Sequence, residues 1–65
     1  MNKLKELRTS KNMKQVEIAE AIGISQQAYS YFEKGYSKPS LKTAKKIADF
    51  YKISIEDIFF NKIDN

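Results

Sequence analysis

Apolar residues recur along the chain at intervals of three and four, the spacing that places side chains on one side of an α-helix. The first predicted helix covers residues 3–11, where Leu4 and Leu7 stand among charged residues. The second covers residues 15–22, and its apolar positions are Ile18, Ala19 and Ile22. Neither stretch has the strict alternation of a β-strand, so both are predicted to be amphipathic helices.

A third helix is predicted from the residues that can begin and end it. Ser25 suits the N-cap position before residues 26–34, and Gly35 suits the left-handed position that follows a helix. Gly23 ends the second helix, which leaves a turn of three residues, 23–25, before the third. Two short helices joined by such a turn are typical of the helix-turn-helix unit that binds DNA.

Similar start signals predict two more helices toward the C-terminus. Pro39 and Ser40 precede a fourth helix, whose apolar positions are Leu41, Ala44, Ile47, Ala48 and Tyr51. Ser54 begins a last short helix, in which Asp57 occupies the position that a capping box gives to Glu or Gln. Its apolar side consists of Ile55, Ile58 and Phe59. The predicted fold class is therefore all-α, a compact bundle of five helices.

A length of 65 residues suits one domain, because a chain this short cannot divide its buried surface between two hydrophobic cores. We therefore expect residues 1–65 to form a single domain, with residues 61–65 as a frayed tail. The sequence has no apolar run long enough to span a membrane and no signal peptide, which favours a cytoplasmic protein without a membrane partner.

The chain contains no cysteine and no histidine. It therefore lacks the thiolates and imidazoles that most zinc sites and many catalytic sites use, and no metal or cofactor is predicted. Helix surfaces and caps explain the spacing of the carboxylates Glu17, Glu20, Glu33 and Asp49, and no Gly-rich phosphate loop accompanies them. An enzyme is not expected, and no small-molecule ligand is evident.

The formal net charge of +4 is unevenly distributed. Residues 1–48 hold ten basic and four acidic residues, a balance of +6, whereas residues 49–65 carry −2. A basic surface suits a polyanion such as double-stranded DNA, and the acidic C-terminal stretch is expected to face away from phosphates. We interpret the lysines of the fourth helix, Lys42, Lys45 and Lys46, as a solvated face.

The predicted helix-turn-helix unit, about residues 15–34, also meets the packing requirement of such units. Two helices that cross closely at roughly 90–120° need a small residue at the crossing, and Ala19 supplies it. The space beneath is expected to be filled by Ile18, Ile22, Ile24, Tyr29 and Phe32.

Five short stretches form a pattern together: MKQVEIA (13–19), GIS (23–25), YFEKG (31–35), KPS (38–40) and IEDIF (55–59). In these stretches the sequence resembles the Cro/cI-like (XRE) helix-turn-helix regulators, among them the lambdoid phage repressors, and the resemblance covers almost the whole chain. It implies a lambda-repressor-like fold and a transcriptional regulator. Tyr29 departs from the isoleucine or valine usual at its position, which leaves the tilt of the third helix open.

The geometry of the third helix gives the candidate base-reading residues. If Tyr29 and Phe32 face the core, the rotation of 100° per residue turns four other residues outward: Gln26, Gln27, Ser30 and Tyr31. Glutamine can form two hydrogen bonds with N6 and N7 of adenine in the major groove. The alternatives are that the glutamines merely keep the surface soluble and that Tyr31 packs at the edge of the core.

A second set of residues around the same face is predicted to hold the DNA backbone without reading sequence. Gln15 begins the second helix, where the positive end of the helix dipole suits a phosphate oxygen. The resemblance implies that Gln15 also supports the first base-reading residue. The predicted phosphate contacts are Lys14, Gln15, Ser25, Lys34, Tyr36, Ser37 and Lys38. For each lysine the alternative is an ordinary solvated charge.

The resemblance also gives Arg8 and Glu33 a structural role, because they match a partly buried ion pair between the first helix and the end of the third. Removing one partner of such a pair can cost about 3–5 kcal/mol if the other stays buried. The alternative is that Arg8 reaches a phosphate.

The C-terminal part has more apolar side chains than one short helix needs. A single domain of this size covers one half-site, so we expect a homodimer on a palindromic operator, with reading helices about 34 Å apart. The predicted interface consists of Ile53, Ile55, Ile58, Phe59, Phe60 and Ile63. The alternative is that Ile55, Ile58 and Phe59 close the core of the monomer.

A sequence-specific transcriptional regulator, with repression favoured, is the function that fits the whole pattern. An antitoxin-like module would use the same fold mainly to bind a partner protein, with DNA binding secondary. The polar outer side of the third helix counts against it. The operator sequence and the sign of regulation stay open.

Overall fold

The computed structural model describes residues 2–60, and at Phe60 it describes the backbone alone. The helices are α1 (Leu4–Ser10), α2 (Gln15–Ile22), α3 (Gln26–Lys34), α4 (Leu41–Tyr51) and a terminal π-helix (Glu56–Phe60). There is no β-strand within residues 2–60, and the predicted all-α fold of five helices is confirmed. The tail predicted at residues 61–65 lies outside the described residues.

The predicted caps fix the ends of α3 and α4. The Oγ atoms of Ser25 and Ser40 each accept the backbone N–H three residues further on, at 3.0 and 3.3 Å. Gly23 and Gly35 end α2 and α3 with φ of 89° and 79°, in the left-handed region that glycine enters at little cost. The turn between α2 and α3 therefore lies where the sequence predicts it.

The terminal helix has a wider, π-helical turn in place of the expected α-helical one. The Ser54 hydroxyl accepts the N–H of Asp57 at 3.0 Å, so its predicted cap forms. The carbonyl of Ile58 accepts the N–H of Lys3 at 3.2 Å, which ties this helix to the start of α1. The Ile58 side chain is fully buried, so the terminal helix closes the core.

Each element contributes one large, fully buried side chain to the core: Leu4, Ile18, Tyr29, Ile47 and Ile58. Ala19, predicted for the crossing of α2 and α3, is buried with 2% exposure. Ile22 is also buried, while Ile24 and Phe32 are half-buried and pack against the core. The core thus fixes the position of α3 from beneath.

No helix within residues 2–60 is long and apolar enough to cross a bilayer. The longest helix, α4, has 11 residues, whereas a membrane span needs about 20. The same residues contain no cluster of acidic side chains that could hold a metal ion.

Candidate nucleic-acid interface

The two sides of α3 face the core and the solvent. Tyr29 is fully buried beneath the helix, and Phe32 is half-buried against the core. The opposite side exposes Gln26, Gln27 and Tyr31, with Ser30 half-buried beside them. The four residues predicted to read bases therefore lie together at the outer side of α3, and their contact with bases stays a prediction.

Tyr31, Lys34 and Tyr36 form an aromatic cluster at the end of α3. The two tyrosine rings are tilted, with centroids 5.8 Å apart, and the Lys34 ammonium lies 5.6 Å from the centroid of Tyr36. Gln27 Nε2 donates to the Tyr31 hydroxyl at 3.1 Å. The spacing of four residues could have indicated this last contact. The contacts of Tyr36 with Tyr31 and Lys34 could not be predicted from the sequence, because Tyr36 follows the left-handed turn at Gly35 and so lies beyond the regular spacing of the helix.

Gln15, predicted to contact a phosphate, is half-buried at the start of α2. Its Nε2 donates to Glu33 Oε1 at 2.9 Å. An ionised carboxylate can only accept hydrogen bonds, so the amide must turn its nitrogen toward Glu33. The hydrogen bond to Glu33 therefore fixes the orientation of the Gln15 side-chain amide.

Arg8 and Glu33 form a two-pronged ion pair between α1 and α3. Arg8 Nε lies 2.7 Å from Oε2 of Glu33, and Nη2 lies 3.3 Å from Oε1. Arg8 Nη1 donates to the carbonyl of Met13 at 3.0 Å. The two side chains are 15% and 5% exposed. All three guanidinium nitrogens donate within the protein, which argues against the alternative that Arg8 reaches a phosphate.

The ion pair keeps Glu33 charged despite its burial. Burial raises the pKa of the Glu33 carboxyl, but hydrogen bonds from Arg8 and Gln15 and the charge of Arg8 lower it further than burial raises it. The net pKa is below the ordinary value. The carboxylate therefore stays an acceptor for Gln15 at neutral pH.

A tyrosine pair lies beneath α3 that sequence reasoning did not foresee. The hydroxyls of Tyr29 and Tyr51 are 2.9 Å apart and buried. Burial is the main cause that raises the pKa of both tyrosines, and the charge of Glu33 adds to it, so both are neutral at physiological pH. This pair explains how Tyr29 is accommodated at a position where isoleucine or valine is usual: the hydroxyl of Tyr51 on α4 is the hydrogen-bond partner of the Tyr29 hydroxyl.

The other predicted phosphate contacts lie at the surface around α3. The exposed members are Lys14, Ser25, Lys34, Tyr36, Ser37 and Lys38. Three of them have partners inside the protein: Ser25 caps α3, and Lys34 and Tyr36 contact each other beside Tyr31. Lys14, Ser37 and Lys38 flank the two ends of the helix-turn-helix unit.

An apolar groove of about 370 Å³ lies beside this surface. Leu41, at the start of α4, is 76% exposed and lines the groove. The other lining residues are Asn2, Gly35, Ser37, Lys38, Pro39, Ala44, Ile55 and Phe59. The groove therefore continues directly from the loop that holds three of the predicted phosphate contacts.

The burial of the C-terminal apolar residues differs from what the predicted dimer interface requires. Ile58 is wholly buried in its own monomer, so a partner cannot touch it, and its inclusion was wrong. Ile53, Ile55 and Phe59 are half-buried and pack against the core. The side chains of Phe60 and Ile63 lie outside the described residues. Leu41, which helical spacing alone assigned to the core side of α4, is exposed.

Comparisons with known proteins agree with this geometry. A helix-turn-helix family profile matches residues 4–58. An uncharacterized HTH-type transcriptional regulator of Methanocaldococcus jannaschii is 46% identical over 63 residues, covering 97% of this chain and 96% of the relative. The transcriptional repressor RstR of the cryptic phage CTXphi from Vibrio cholerae is 35% identical, covering 88% of this chain and 51% of the relative. The transcriptional activator BcrR of Enterococcus faecalis is 36% identical, covering 86% of this chain and 28% of the relative.

The matched residues include all four α-helices and reach Ile58 in the terminal helix. They therefore contain the helix-turn-helix unit together with the core that supports it. The chain belongs to the Cro/cI-like (XRE) helix-turn-helix family, whose members are DNA-binding transcriptional regulators and not enzymes.

Proposed function

We propose that this protein binds a palindromic operator as a homodimer, reads its bases through α3 in the major groove, and represses transcription. The observation that carries the proposal is the outer side of α3, where Gln26, Gln27 and Tyr31 are exposed on a helix whose other side is fixed in the core. A helix of this kind fits the major groove of B-DNA.

The chemistry of base reading would come from the two glutamines. Each amide offers a donor and an acceptor, which match N7 and N6 of adenine, and each such pair contributes about 1–3 kcal/mol of discrimination. Gln27 keeps a second N–H and its carbonyl oxygen for a base, because Tyr31 takes one N–H. Ser30 and Tyr31 would contact neighbouring bases on the same side.

The surrounding residues would hold the DNA backbone. Lys14, Ser37 and Lys38 are exposed at the ends of the helix-turn-helix unit, and Gln15 lies at the start of α2. Contacts of this kind release counterions and give affinity without sequence preference. Ser25, Lys34 and Tyr36 would add to them.

The apolar groove supports the proposed dimer. A copy seated on it would lie beside the loop of Ser37 and Lys38, so both copies could rest on one DNA duplex. Leu41, exposed at the rim, would be buried against the partner's groove, together with Ile55 and Phe59. In a two-fold dimer each Leu41 meets the other copy in the same way.

Repression needs nothing beyond the DNA-binding surface, because a protein that occupies a promoter excludes polymerase. The phage relative carries the name of a repressor. The activator relative matches this chain over 28% of its own length. Repression is therefore the function that needs the fewest further assumptions about this protein.

Selection from a randomised pool of duplex DNA tests the base reading and the symmetry together. The proposal predicts one enriched palindrome whose half-sites are centred about one helical turn apart. Binding without any enriched sequence would contradict it, and an antitoxin-like interaction module would then be the better function.

The substitution Leu41→Glu tests the dimer. A carboxylate cannot be buried in an apolar groove without a large cost, whereas it suits the first turn of α4 in the monomer. We expect a folded monomer by sedimentation whose operator affinity falls about tenfold or more. The control Lys45→Gln makes the same change in charge on α4 outside the groove. A Leu41→Glu protein that stays dimeric would rule out this interface.

A further inference from the structure

A chain of side-chain contacts runs along the outer side of α3 and ends in the loop that follows the helix. Gln27 Nε2 donates to the Tyr31 hydroxyl at 3.1 Å. The Tyr31 ring packs against that of Tyr36, with 5.8 Å between the centroids and 56° between the planes. The Lys34 ammonium lies 5.6 Å from the centroid of Tyr36. Gln27, which is predicted to read a base, is thus connected to a residue outside the helix.

The backbone holds Tyr36 against the end of α3. Gly35 adopts the left-handed conformation with a φ of 79° and turns the chain back toward the helix. The Tyr36 N–H then donates to the carbonyl of Tyr31 at 2.9 Å, and the Gly35 N–H donates to that of Phe32 at 3.2 Å. This pair of hydrogen bonds is the Schellman motif, so the contact between the two tyrosine rings begins from a fixed backbone.

Burial of apolar surface does not explain why the two rings meet. Tyr31 is 41% exposed and Tyr36 is 72% exposed, so their contact adds little to the core. The contact instead restricts the Tyr31 ring and therefore the position of its hydroxyl. A glutamine at the surface loses side-chain entropy when it binds a base, and a Gln27 already held by Tyr31 loses less of it.

The hydrogen bond to Tyr31 also bears on which base Gln27 can read. The amide nitrogen carries two N–H groups, and the one that points away from the carbonyl oxygen can be donated to Tyr31. The other N–H then lies beside Oε1, and this donor and acceptor match N7 and N6 of adenine. An amide turned the other way would present two donors, which suit N7 and O6 of guanine.

We propose that Tyr36 is a positioning residue for base reading: its ring holds Tyr31, whose hydroxyl orients the Gln27 amide for adenine. The inference rests on the proposed function, in which Gln27 reads a base. It gives the ring of Tyr36 a role separate from the phosphate contact predicted for this residue. A residue in the loop after α3 thereby helps to decide the sequence that the protein prefers.

The test first locates the base that Gln27 reads, by comparing the DNA sequences selected by wild type and by Gln27→Ala. We expect adenine at the position where this variant loses its preference. Operators with each of the four bases at that position are then titrated at one salt concentration. The ratio of these affinities measures the preference for adenine, independently of contacts that hold all sequences equally.

Two variants of Tyr36 separate its ring from its hydroxyl. Tyr36→Leu removes the ring, and we expect the preference for adenine to fall about threefold. The matched control Tyr36→Phe keeps the ring and should keep the preference, although it weakens binding to every sequence alike if the hydroxyl contacts a phosphate. Because Tyr36 is largely exposed, neither change should unfold the protein, and thermal unfolding checks this.

Double variants show whether Tyr36 acts through Tyr31 and Gln27. Tyr31→Phe removes the hydroxyl that accepts from Gln27, and we expect it to lower the preference for adenine about fivefold. Tyr31→Phe/Tyr36→Leu should then match Tyr31→Phe alone. In the Gln27→Ala background, Tyr36→Leu should leave the preference at this base unchanged.

A second readout does not involve DNA. In the free protein, NMR cross-relaxation should connect the side-chain amide protons of Gln27 with the ring protons of Tyr31, and the ring of Tyr31 with that of Tyr36. The contact between Gln27 and Tyr31 should persist in Tyr36→Phe and weaken in Tyr36→Leu.

The inference is overturned if Tyr36→Leu keeps the full preference for adenine, or lowers affinity for all four bases equally. It is equally overturned if guanine is preferred at the position that Gln27 reads, or if the free protein shows no contact between Gln27 and Tyr31. These results leave the proposed function standing, whereas a wild-type protein that prefers no DNA sequence removes the proposed function itself.

Discussion

The two sides of α3 are built differently. On the inner side, Glu33 accepts three hydrogen bonds from Arg8 and Gln15, and Tyr29 is paired with Tyr51. On the outer side, the glutamine side chains stand at the surface, and Gln27 has one contact, to Tyr31 one turn away on the same helix. The inner side is thus held by residues of three other helices, α1, α2 and α4, while the one hydrogen bond on the outer side is local.

This difference separates stability from recognition. Partners from several helices fix the position of α3, so changes there should cost folding free energy. Exposed side chains on a fixed helix can change without unfolding the protein, so changes there should alter binding alone. A substitution on the inner side of α3 that leaves the free energy of unfolding unchanged would contradict this distinction. So would a substitution on the outer side that lowers it.

The largest effect on stability is expected from Arg8→Ala, which leaves the carboxylate of Glu33 buried without its cation. We expect the free energy of unfolding to fall by about 3 kcal/mol. Gln27→Ala on the outer side should change it by less than about 0.5 kcal/mol. Urea denaturation at pH 7 measures both, and equal losses would erase the difference between the two sides.

Acid should weaken the inner side next. The pKa of Glu33 is lowered in the folded protein from its ordinary 4.5, because bonds from Arg8 and Gln15 outweigh the effect of burial. The unfolded chain therefore takes up this proton first, so the stabilisation is present above about pH 4.5 and is lost as the pH falls through the folded pKa. Urea midpoints from pH 7 to pH 3 should fall more steeply for wild type than for Glu33→Gln. Parallel curves would show that Glu33 does not contribute.

The caps of α3 and α4 give a smaller, matched comparison. Ser25→Ala and Ser40→Ala each remove an N-cap bond, at 3.0 and 3.3 Å, and each should cost about 1 kcal/mol. Operator affinity should fall further for Ser25→Ala, because Ser25 lies at the reading helix. If Ser40→Ala weakens binding as much, the effect comes from stability and not from position.

The smallest effect concerns individual lysines. Lys14→Gln should reduce the slope of log affinity against log salt by about one, whereas Lys45→Gln should leave it unchanged. Lys14 stands at the start of α2, and Lys45 is 73% exposed beside Asp49 on α4. Equal slopes for the two variants would mean that Lys14 is an ordinary solvated charge.

The fold was predictable because its signals are local. Ser25, Ser40 and Gly35 mark helix ends through bonds to neighbours in sequence, and the three- and four-residue spacing marks the helices between them. The π-helical turn at the terminal helix was not predictable, since Ile55, Ile58 and Phe59 have the same spacing in either helix type. The carbonyl of Ile58 in this helix accepts the N–H of Lys3, a partner distant in sequence that no local pattern indicates.

The candidate site was predictable in part for the same reason. The outward side of α3 follows from its rotation, so Gln26 and Gln27 could be placed from the sequence. The pairing of Tyr29 with Tyr51 joins residues 22 positions apart, and no local pattern indicates it. Leu41 was misplaced because spacing shows which residues share a side of a helix, but not how far the neighbouring elements cover that side.

The measurement that tests the central claim most directly compares wild type with Gln26→Ala/Gln27→Ala on the selected operator and on a scrambled duplex. We predict that the variant keeps wild-type stability and weak, salt-sensitive binding to both duplexes, but loses its preference for the operator, by about 1–3 kcal/mol for each glutamine. A variant that still prefers the operator as strongly as wild type would contradict base reading through α3.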